Sequence, residues 1–207
     1  PRIWNNGRVN PPDKRIESLL RRTGTARSRE LVAAGLSRMD ISRRVASGRL
    51  VRLARGVYAL PDHDLGEHHD LLAVARRAPG VVFCLLTALR IHDLTTQAPF
   101  EVWIAIGNKD HVPRIDHPPL RAVRLSPASL AAGVEKRTIS GTPVKVTSAA
   151  KTVVDCFKFR SKVGLDVALE ALRDARHSRK ARSDEIWRLA RINRVANVMR
   201  PYLEAVA

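Results

Sequence analysis

Apolar residues in the first fifty positions recur at the spacing of short helices. From Ile16 to Leu20 they return every three or four residues, and Asp13 precedes them as the expected helix N-cap. A second short helix is predicted over 28–34. A third opens at Ser37, which has an acidic residue three positions later, as in a capping box. The N-terminal part of the chain is therefore predicted to contain three short helices.

The spacing of apolar residues changes after the third helix. Two β-prone runs, around 50–53 and 57–60, flank a turn at Arg55-Gly56, a pattern typical of a hairpin. Three helices followed by a hairpin are the layout of a winged helix-turn-helix, in which the second helix of the turn enters the major groove of DNA. We call the predicted hairpin, with Arg49 at its start, the wing. We call residues 12–61 the head.

The rest of the chain mixes helical and strand periods. Helices are predicted over 67–78, 83–92, 149–159, 165–177, 184–191 and 195–204, and strands over 100–106, 120–125, 135–139 and 144–147. A polar joint at Asp62–Gly66 is a plausible domain boundary. We predict an α+β fold, with the winged-helix head at 12–61 and a larger mixed α/β domain at 66–207, which is long enough to bury its own core.

Composition adds a partner class to this layout. The 207 residues carry a formal net charge of +17, which indicates a polyanionic partner such as DNA, RNA, an acidic protein or an acidic membrane, or else a merely basic surface. No apolar run approaches about 18 residues, so no membrane span is predicted. No signal peptide is recognised, and Cys84 and Cys156 lie in apolar runs as buried hydrophobes, so a cytoplasmic location is expected.

The positive charge is concentrated in the head. Residues 13–61 contain twelve basic and four acidic side chains. With Ile41 and Val45 on the buried side of the third helix, we expect DNA contacts from Ser37, Arg38, Met39, Ser42, Arg43 and Arg44 on that helix and from Arg49, Arg52 and Arg55 on the wing. Arginine can bond guanine O6 and N7 together, and wing arginines suit phosphates or a narrow minor groove. The alternative is a small helical domain with a solvated arginine face.

The run RELVAAGLSRMDISRRVASGRLVRLARGVYALP, residues 29–61, resembles the N-terminal winged helix of AbiEi-type antitoxins. Its distinctive parts are Ala-Gly-Leu-Ser at 34–37, Gly-Arg-Leu at 48–50 and Arg-Gly-Val-Tyr at 55–58. The resemblance implies two tasks, autorepression through the head and neutralisation of a toxin through the C-terminal domain. It also implies a partner from the same operon, an AbiEii-type nucleotidyltransferase toxin.

Two later segments resemble the same family. One is Thr87-Ala88-Leu89, followed by His92 and Leu94. The other is Thr147-Ser148-Ala149-Ala150-Lys151-Thr152-Val153-Val154-Asp155, where the family more often has Arg in place of Lys151. The ordered motifs extend over roughly 14–160, and the basic helices that follow carry no recognised motif.

A search of the sequence for the motifs of catalytic and metal-binding sites gives little support for an enzyme. Neither a phosphate-binding GxxxxGK[ST] loop nor a kinase HRD/DFG pair is present, and the paired-aspartate motif of the toxin is missing. Lys151 and Asp155 have the i,i+4 spacing of a helical ion pair, which we favour over a catalytic pair. The Asp and His residues at 62–64 and 68–70 suit a solvated joint better than a metal site. No catalytic residue, metal ligand or cofactor is predicted.

The leading hypothesis is a bacterial antitoxin that represses its own operon by binding double-stranded DNA. Its first rival is an antitoxin that modifies its toxin covalently, for example by an atypical phosphorylation. The second rival is a ligand-responsive repressor unrelated to toxins. The sequence leaves both rivals open.

Overall fold

A computed structural model describes residues 11–62, 68–97 and 99–205. Residues 1–10 and most of the expected joint, residues 63–66, lie outside these ranges, as does the predicted helix start at residue 67. The described chain contains both helices and sheets, which confirms the predicted α+β class.

The head contains the three predicted helices and the predicted hairpin in the expected order. The helices are α1 Pro11–Thr23, α2 Ser28–Ala33 and α3 Arg38–Ala46. The strands are β1 Ala26–Arg27, β2 Val51–Ala54 and β3 Val57–Ala59, which form an antiparallel sheet in the order β1-β3-β2. Strand β1 has only two residues and no sequence period, and it is a strand because it pairs with β3.

One helix start in the head differs from the prediction. Helix α1 begins at Pro11, so Asp13 lies inside its first turn and is not the N-cap. Proline is well tolerated at a helix start because its missing N–H needs no partner there. The carboxylate of Asp13 instead pairs with Arg44 of α3.

The turn between α2 and α3 has the local chemistry that the sequence predicts. Gly35 has a φ of 109°, a region that favours glycine, and Leu36 is buried between the helices. The backbone N–H of Asp40 donates to Ser37 Oγ at 3.1 Å, and the backbone N–H of Ser37 donates to Asp40 Oδ2 at 3.1 Å. This reciprocal capping box fixes the first residue of α3.

The chain forms two compact units. The first contains residues up to Arg77 together with Thr138–Thr142, and the second contains Ala78–Arg137 and the chain from Pro143 onward. The first unit therefore extends beyond the head and includes helix α4 His69–Arg77. Its main core is aliphatic and is formed by Ile16, Leu20, Ala26, Leu31, Leu36, Ile41 and Leu50.

Helix α4 belongs to the first unit because its apolar face covers the wing. Ala73 of α4 packs in one buried cluster with Leu53 and Val57 of the hairpin. Arg76 Nε donates to Thr25 Oγ1 at 2.7 Å, and Thr142 Oγ1 donates to the Thr23 carbonyl at 3.0 Å. These two hydrogen bonds join parts of the sequence that are more than fifty residues apart.

The second unit contains most of the remaining elements. Its helices are α5 Leu85–Ile91, α6 Pro127–Ala131, α7 Ala149–Lys158, α8 Arg160–Val163, α9 Leu165–His177, α10 Ser183–Ile192 and α11 Ala196–Ala205. The five-stranded sheet has the order β6-β5-β4-β8-β7, formed by β4 Val82–Phe83, β5 Val102–Gly107, β6 Leu120–Leu125, β7 Val134–Ile139 and β8 Thr142–Thr147.

The helix predicted over 83–92 begins two residues later than expected, because Phe83 belongs to strand β4. Val82 and Phe83 instead pair antiparallel with β5 and parallel with β8, and helix α5 begins only at Leu85. A short apolar run does not distinguish a buried strand from a buried helix by its period, and here sheet pairing decides.

Helix α7 lies at the centre of the second unit, and every residue from Ala149 to Phe157 is buried. Cys84 and Cys156 are buried in the same core, as predicted. Burial raises the pKa of both thiols because it disfavours the thiolate, and the nearby Asp155 adds to the effect. None of the described helices has the length and apolar character that crossing a membrane requires.

Candidate nucleic-acid interface

Helix α3 presents its polar and basic residues to solvent. Ile41 is buried in the head core and Val45 is partly buried, so Met39, Ser42 and Arg43 lie on the opposite, exposed side. Met39 is 70% exposed, which is unusual for a large apolar side chain. An apolar contact of this kind is suited to the thymine methyl group in a major groove.

The arginines of α3 differ in how freely they reach solvent. Arg38 is exposed and has no ion-pair partner among the described residues. The side chain of Arg43 is 72% exposed and lies 3.7 Å from Asp40 Oδ1, a loose contact that water screens strongly. Both guanidinium groups are therefore available to an external acceptor.

Arg44 departs from the expectation that it faces outward. Its side chain is 21% exposed, and Nη2 pairs with Asp13 Oδ1 of α1. The carbonyl of the same residue accepts the N–H groups of Arg49 at 2.8 Å and Leu50 at 3.1 Å. Arg44 thus joins α3 to α1 and to the start of the wing, and its charge is already neutralised.

Ser37 also has a structural role in the fold. Its hydroxyl donates to Asp40 Oδ2 at 2.6 Å while accepting the Asp40 N–H. These hydrogen bonds from Ser37 lower the pKa of Asp40, because they stabilise the carboxylate. Ser37 is exposed at the start of α3, but capping already occupies its hydroxyl.

The wing carries three exposed arginines: Arg49, Arg52 and Arg55. No carboxylate of the described chain pairs with them. The tip is held in place because the Ser28 N–H donates to the Gly56 carbonyl at 3.0 Å. Gly56 has a φ of 76°, and a Cβ there would lie 3.3 Å from Ser28 Oγ, so this turn requires glycine. The basic tip of the wing is therefore anchored to the start of α2.

The motif at 147–155 lies in the second unit and forms a buried polar cluster. Lys151 Nζ pairs with Asp155 Oδ1 and lies 3.4 Å from Asn193 Oδ1, and both side chains of the ion pair are fully buried. Ser129 Oγ also donates to Asn193 Oδ1. Burial raises the pKa of Asp155, against the opposing effect of Lys151. The predicted ion pair is present, and it is enclosed in the core.

His92 connects the two motif segments of the second unit. Its Nε2 lies 2.7 Å from the Thr147 carbonyl oxygen, which can only accept, so Nε2 carries the proton. Burial lowers the pKa of His92 because it disfavours the charged ring. His92 lines a cavity of about 320 Å³ with Arg137, Lys180 and the first turn of α7. Each of these two cations also contacts an acidic side chain, Glu135 or Asp93.

The acidic and histidine residues at 62–64 and 68–70 do not form a described metal site. His63 and Asp64 lie outside the described residues. Over the ranges that the structure describes, no group of three or more His, Cys, Asp or Glu side chains could hold a metal ion. His69 Nδ1 lies 3.2 Å from Asp70 Oδ1, a contact between sequence neighbours.

Residues 14–61 match the family described as "Transcriptional regulator, AbiEi antitoxin". This segment is similar to the AbiEi antitoxin family. This finding confirms the resemblance seen in the sequence, and it covers most of α1, both following helices and the hairpin. The exposed arginines of α3 and of the hairpin thus lie within the matched residues, whereas the buried Lys151 cluster lies beyond them.

The fold as a whole is similar to that of the RV2827C protein from Mycobacterium tuberculosis. The crystal structure of that protein aligns with a TM-score of 0.60 over 96% of this chain and 83% of its own, at 14% sequence identity. At that identity the likeness shows a shared fold alone. No curated protein matches the chain.

Proposed function

We propose that this protein is the antitoxin of a bacterial toxin–antitoxin pair and represses its own operon. The observation that carries the proposal is the AbiEi match over residues 14–61, the segment whose exposed arginines have few internal partners. In this proposal α3 enters the major groove of operator DNA, and the wing contacts the flanking backbone.

The proposed DNA contacts fall into groups according to whether each side chain is exposed or already engaged within the head. Arg38, Met39, Ser42 and Arg43 are exposed on α3 and would read base edges. Arg49, Arg52 and Arg55 of the wing would contact phosphates or an adjacent minor groove. Ser37 and Arg44 would contribute mainly by holding α3 in position, because their polar groups are engaged within the head.

A titration of the full chain against its own promoter DNA tests the first task. We expect binding that weakens steeply with salt, with a log–log slope near −0.9 for each phosphate neutralised. Arg55→Ala should weaken binding to all sequences alike, as the loss of a phosphate contact would. Affinity that is unchanged between low and moderate salt would contradict an interface built on these arginines.

The partner in the second task is an AbiEii-type nucleotidyltransferase toxin, which the AbiEi resemblance implies. Growth rescue in cells that express this toxin tests the neutralisation. The full chain should restore growth, and Arg43→Glu should restore it equally while losing repression of the promoter. A variant that loses both activities together would show that the head also takes part in neutralisation.

Incubating the purified pair with labelled ATP separates neutralisation by binding from covalent modification of the toxin. Under the proposal no label transfers to the toxin, and the two proteins interact directly or through shared RNA. Transfer of label would favour the enzymatic alternative.

A further inference from the structure

Helices α10 and α11 enclose a groove that the proposed operator function does not use. Its volume is about 840 Å³, and it is lined by Asp184, Trp187, Arg188, Arg191, Ile192, Ala196, Asn197 and Arg200. We infer that this groove binds a short segment of single-stranded RNA through its arginines and the indole of Trp187.

The sequence explains why the groove is basic. Helix α10 buries Ile186, Leu189 and Ala190, so Arg188 and Arg191 fall on its exposed side. Helix α11 buries Met199 and Leu203, which leaves Arg200 exposed. The two inward faces pack on the core, and the outward faces bring three guanidinium groups together.

These three charges are not balanced locally. In the described part of the second unit, no carboxylate pairs with Arg188, Arg191 or Arg200. The acidic lining residue, Asp184, is already engaged, because Arg182 donates to both of its carboxylate oxygens at 3.0 and 2.9 Å. The groove therefore has a net positive charge and complements a polyanion.

The base of the groove adds an aromatic surface. Trp187 is partly buried against the core and lines the groove beside the arginines. Arginines next to an exposed aromatic ring are the combination by which proteins hold single strands, with phosphates on the cations and bases stacked on the ring. Asn197 offers its amide, whose oxygen lies 3.4 Å from Arg200 Nη2, as a partner for a ribose 2′-hydroxyl.

The groove fits an RNA strand better than an acidic helix of a partner protein. Helix docking needs large apolar side chains that the docked helix can cover. The large exposed apolar residues of the described chain are Val32, Met39, Val51, Phe100, Val112 and Leu165, and none of them lines this groove. Two large apolar side chains, Trp187 and Ile192, do line the groove, but both are partly buried, and they lie beside three exposed arginines.

The C-terminal end of α10, beside the groove, is hydrogen-bonded to the core. Asn193 lies at this end and is buried, and its carbonyl accepts from Lys158 Nζ at 3.0 Å. Its side-chain oxygen lies within reach of Lys151 and Ser129, and its amide donates to the Leu189 carbonyl at 2.9 Å. The buried polar cluster of α7 thereby anchors the C-terminal end of α10.

Titration of the full chain with an eight-nucleotide oligo(A) RNA, followed by tryptophan fluorescence, tests the inference. Stacking on Trp187 should quench its emission, and Trp187→Phe defines the background from Trp4 and Trp103. The apparent affinity should fall with salt with a log–log slope near −2, about −0.7 for each of three phosphates. A slope near zero, or no quenching, would overturn the inference.

Charge-reversal variants locate the binding. Arg188→Glu and Arg191→Glu should each weaken the quenching titration about tenfold or more. Arg173→Glu on α9 makes the same charge change at an exposed residue outside the groove, and it should stay within about twofold of the wild type. An equal loss with Arg173→Glu would show that only overall charge matters and would overturn the assignment.

Two further arms test the identity of the occupant. Oligo(dA) of the same length should bind more weakly than the RNA, and Asn197→Ala should remove that difference. Equal binding of DNA to the wild type would contradict the assignment to RNA, and displacement of the RNA by an acidic helical peptide at lower concentration would indicate a protein site. The head variant Arg43→Glu should leave the quenching intact, so failure of the operator proposal can be recognised separately.

Discussion

Lys151 is a fully buried cation whose carboxylate partner, Asp155, is equally buried. Replacing one partner of such a pair leaves an uncompensated charge in the core, which costs about 3–5 kcal/mol. We therefore expect Lys151→Met to lower the free energy of unfolding by that amount at pH 7, measured by chemical denaturation. The double variant Lys151→Met/Asp155→Leu should recover most of the loss, because it leaves no buried charge.

The loss in Lys151→Met should also depend on pH. Burial already raises the pKa of Asp155, and removing Lys151 takes away the charge that lowers it. A carboxyl group whose folded-state pKa lies above its unfolded value stabilises the fold at low pH and loses that contribution as the pH rises. The deficit against wild type should therefore be small in mild acid and grow toward neutral pH. A deficit that is constant with pH would contradict this explanation.

His92 provides a pH dependence of the opposite sign. Burial lowers its pKa below the ordinary value of 6.5, while Glu135 at 4.0 Å opposes Arg137 and Lys180. A base whose folded-state pKa is lowered stabilises the fold above its unfolded pKa, and this contribution is lost as the pH falls. We expect the urea concentration at the unfolding midpoint to decrease as the pH is lowered below about 6.5. The variant His92→Gln should reduce this dependence of the midpoint on pH. His177→Gln, on the exposed part of α9, is the matched control and should leave this dependence unchanged.

Within helix α3, we expect one of two neighbouring arginines to stabilise the fold and the other to recognise operator DNA. Arg44 joins α3 to α1 through Asp13, whereas Arg43 is directed toward solvent. Arg44→Ala should lower the free energy of unfolding by about 1 kcal/mol, near the upper value for partly exposed pairs, and Asp13→Asn should do the same. Thermal denaturation measures both effects.

Arg43→Ala should behave in the reverse way. Its melting temperature should match that of the wild type, while discrimination between operator and mutated operator falls by about 1–3 kcal/mol, the value of a bidentate guanine contact. Footprinting across a set of operator variants gives that discrimination. If Arg44→Ala instead relaxed specificity without loss of stability, the assignment of these two residues to α3 surfaces would be wrong.

At the scale of the whole molecule, the predicted boundary at Pro61 does not coincide with the edge of a compact unit. Removing residues 1–61 would uncover Ala73 of α4, which packs against Leu53 and Val57, and would remove the partners of Thr142 in the first unit. We therefore expect the chain 62–207 to aggregate or to bind a hydrophobic dye. A chain beginning at Ala78 is the comparison, and it should be more soluble. A monomeric, cooperatively unfolding 62–207 chain would contradict this expectation.

The order of the elements in the head and the local chemistry of its turns could be predicted from the sequence. Helical and strand periods, the Ser37 capping box and the glycines at 35 and 56 act over a few residues, so they can be recognised without the fold. The same reasoning placed α9 at Leu165–His177 and β6 at Leu120–Leu125, as observed. The i,i+4 pairing of Lys151 with Asp155 was also predictable, because both residues lie on one helix.

Features that depend on partners far apart in the sequence could not be predicted in this way, because packing creates them. Strands β1 and β4 have two residues each and exist through pairing with distant strands. The engagement of Arg44 by Asp13 and the burial of Lys151 beside Asn193 depend on contacts across 31 and 42 positions. Charge and periodicity show which side chains a helix could expose, but packing selects the ones that stay free to bind a partner.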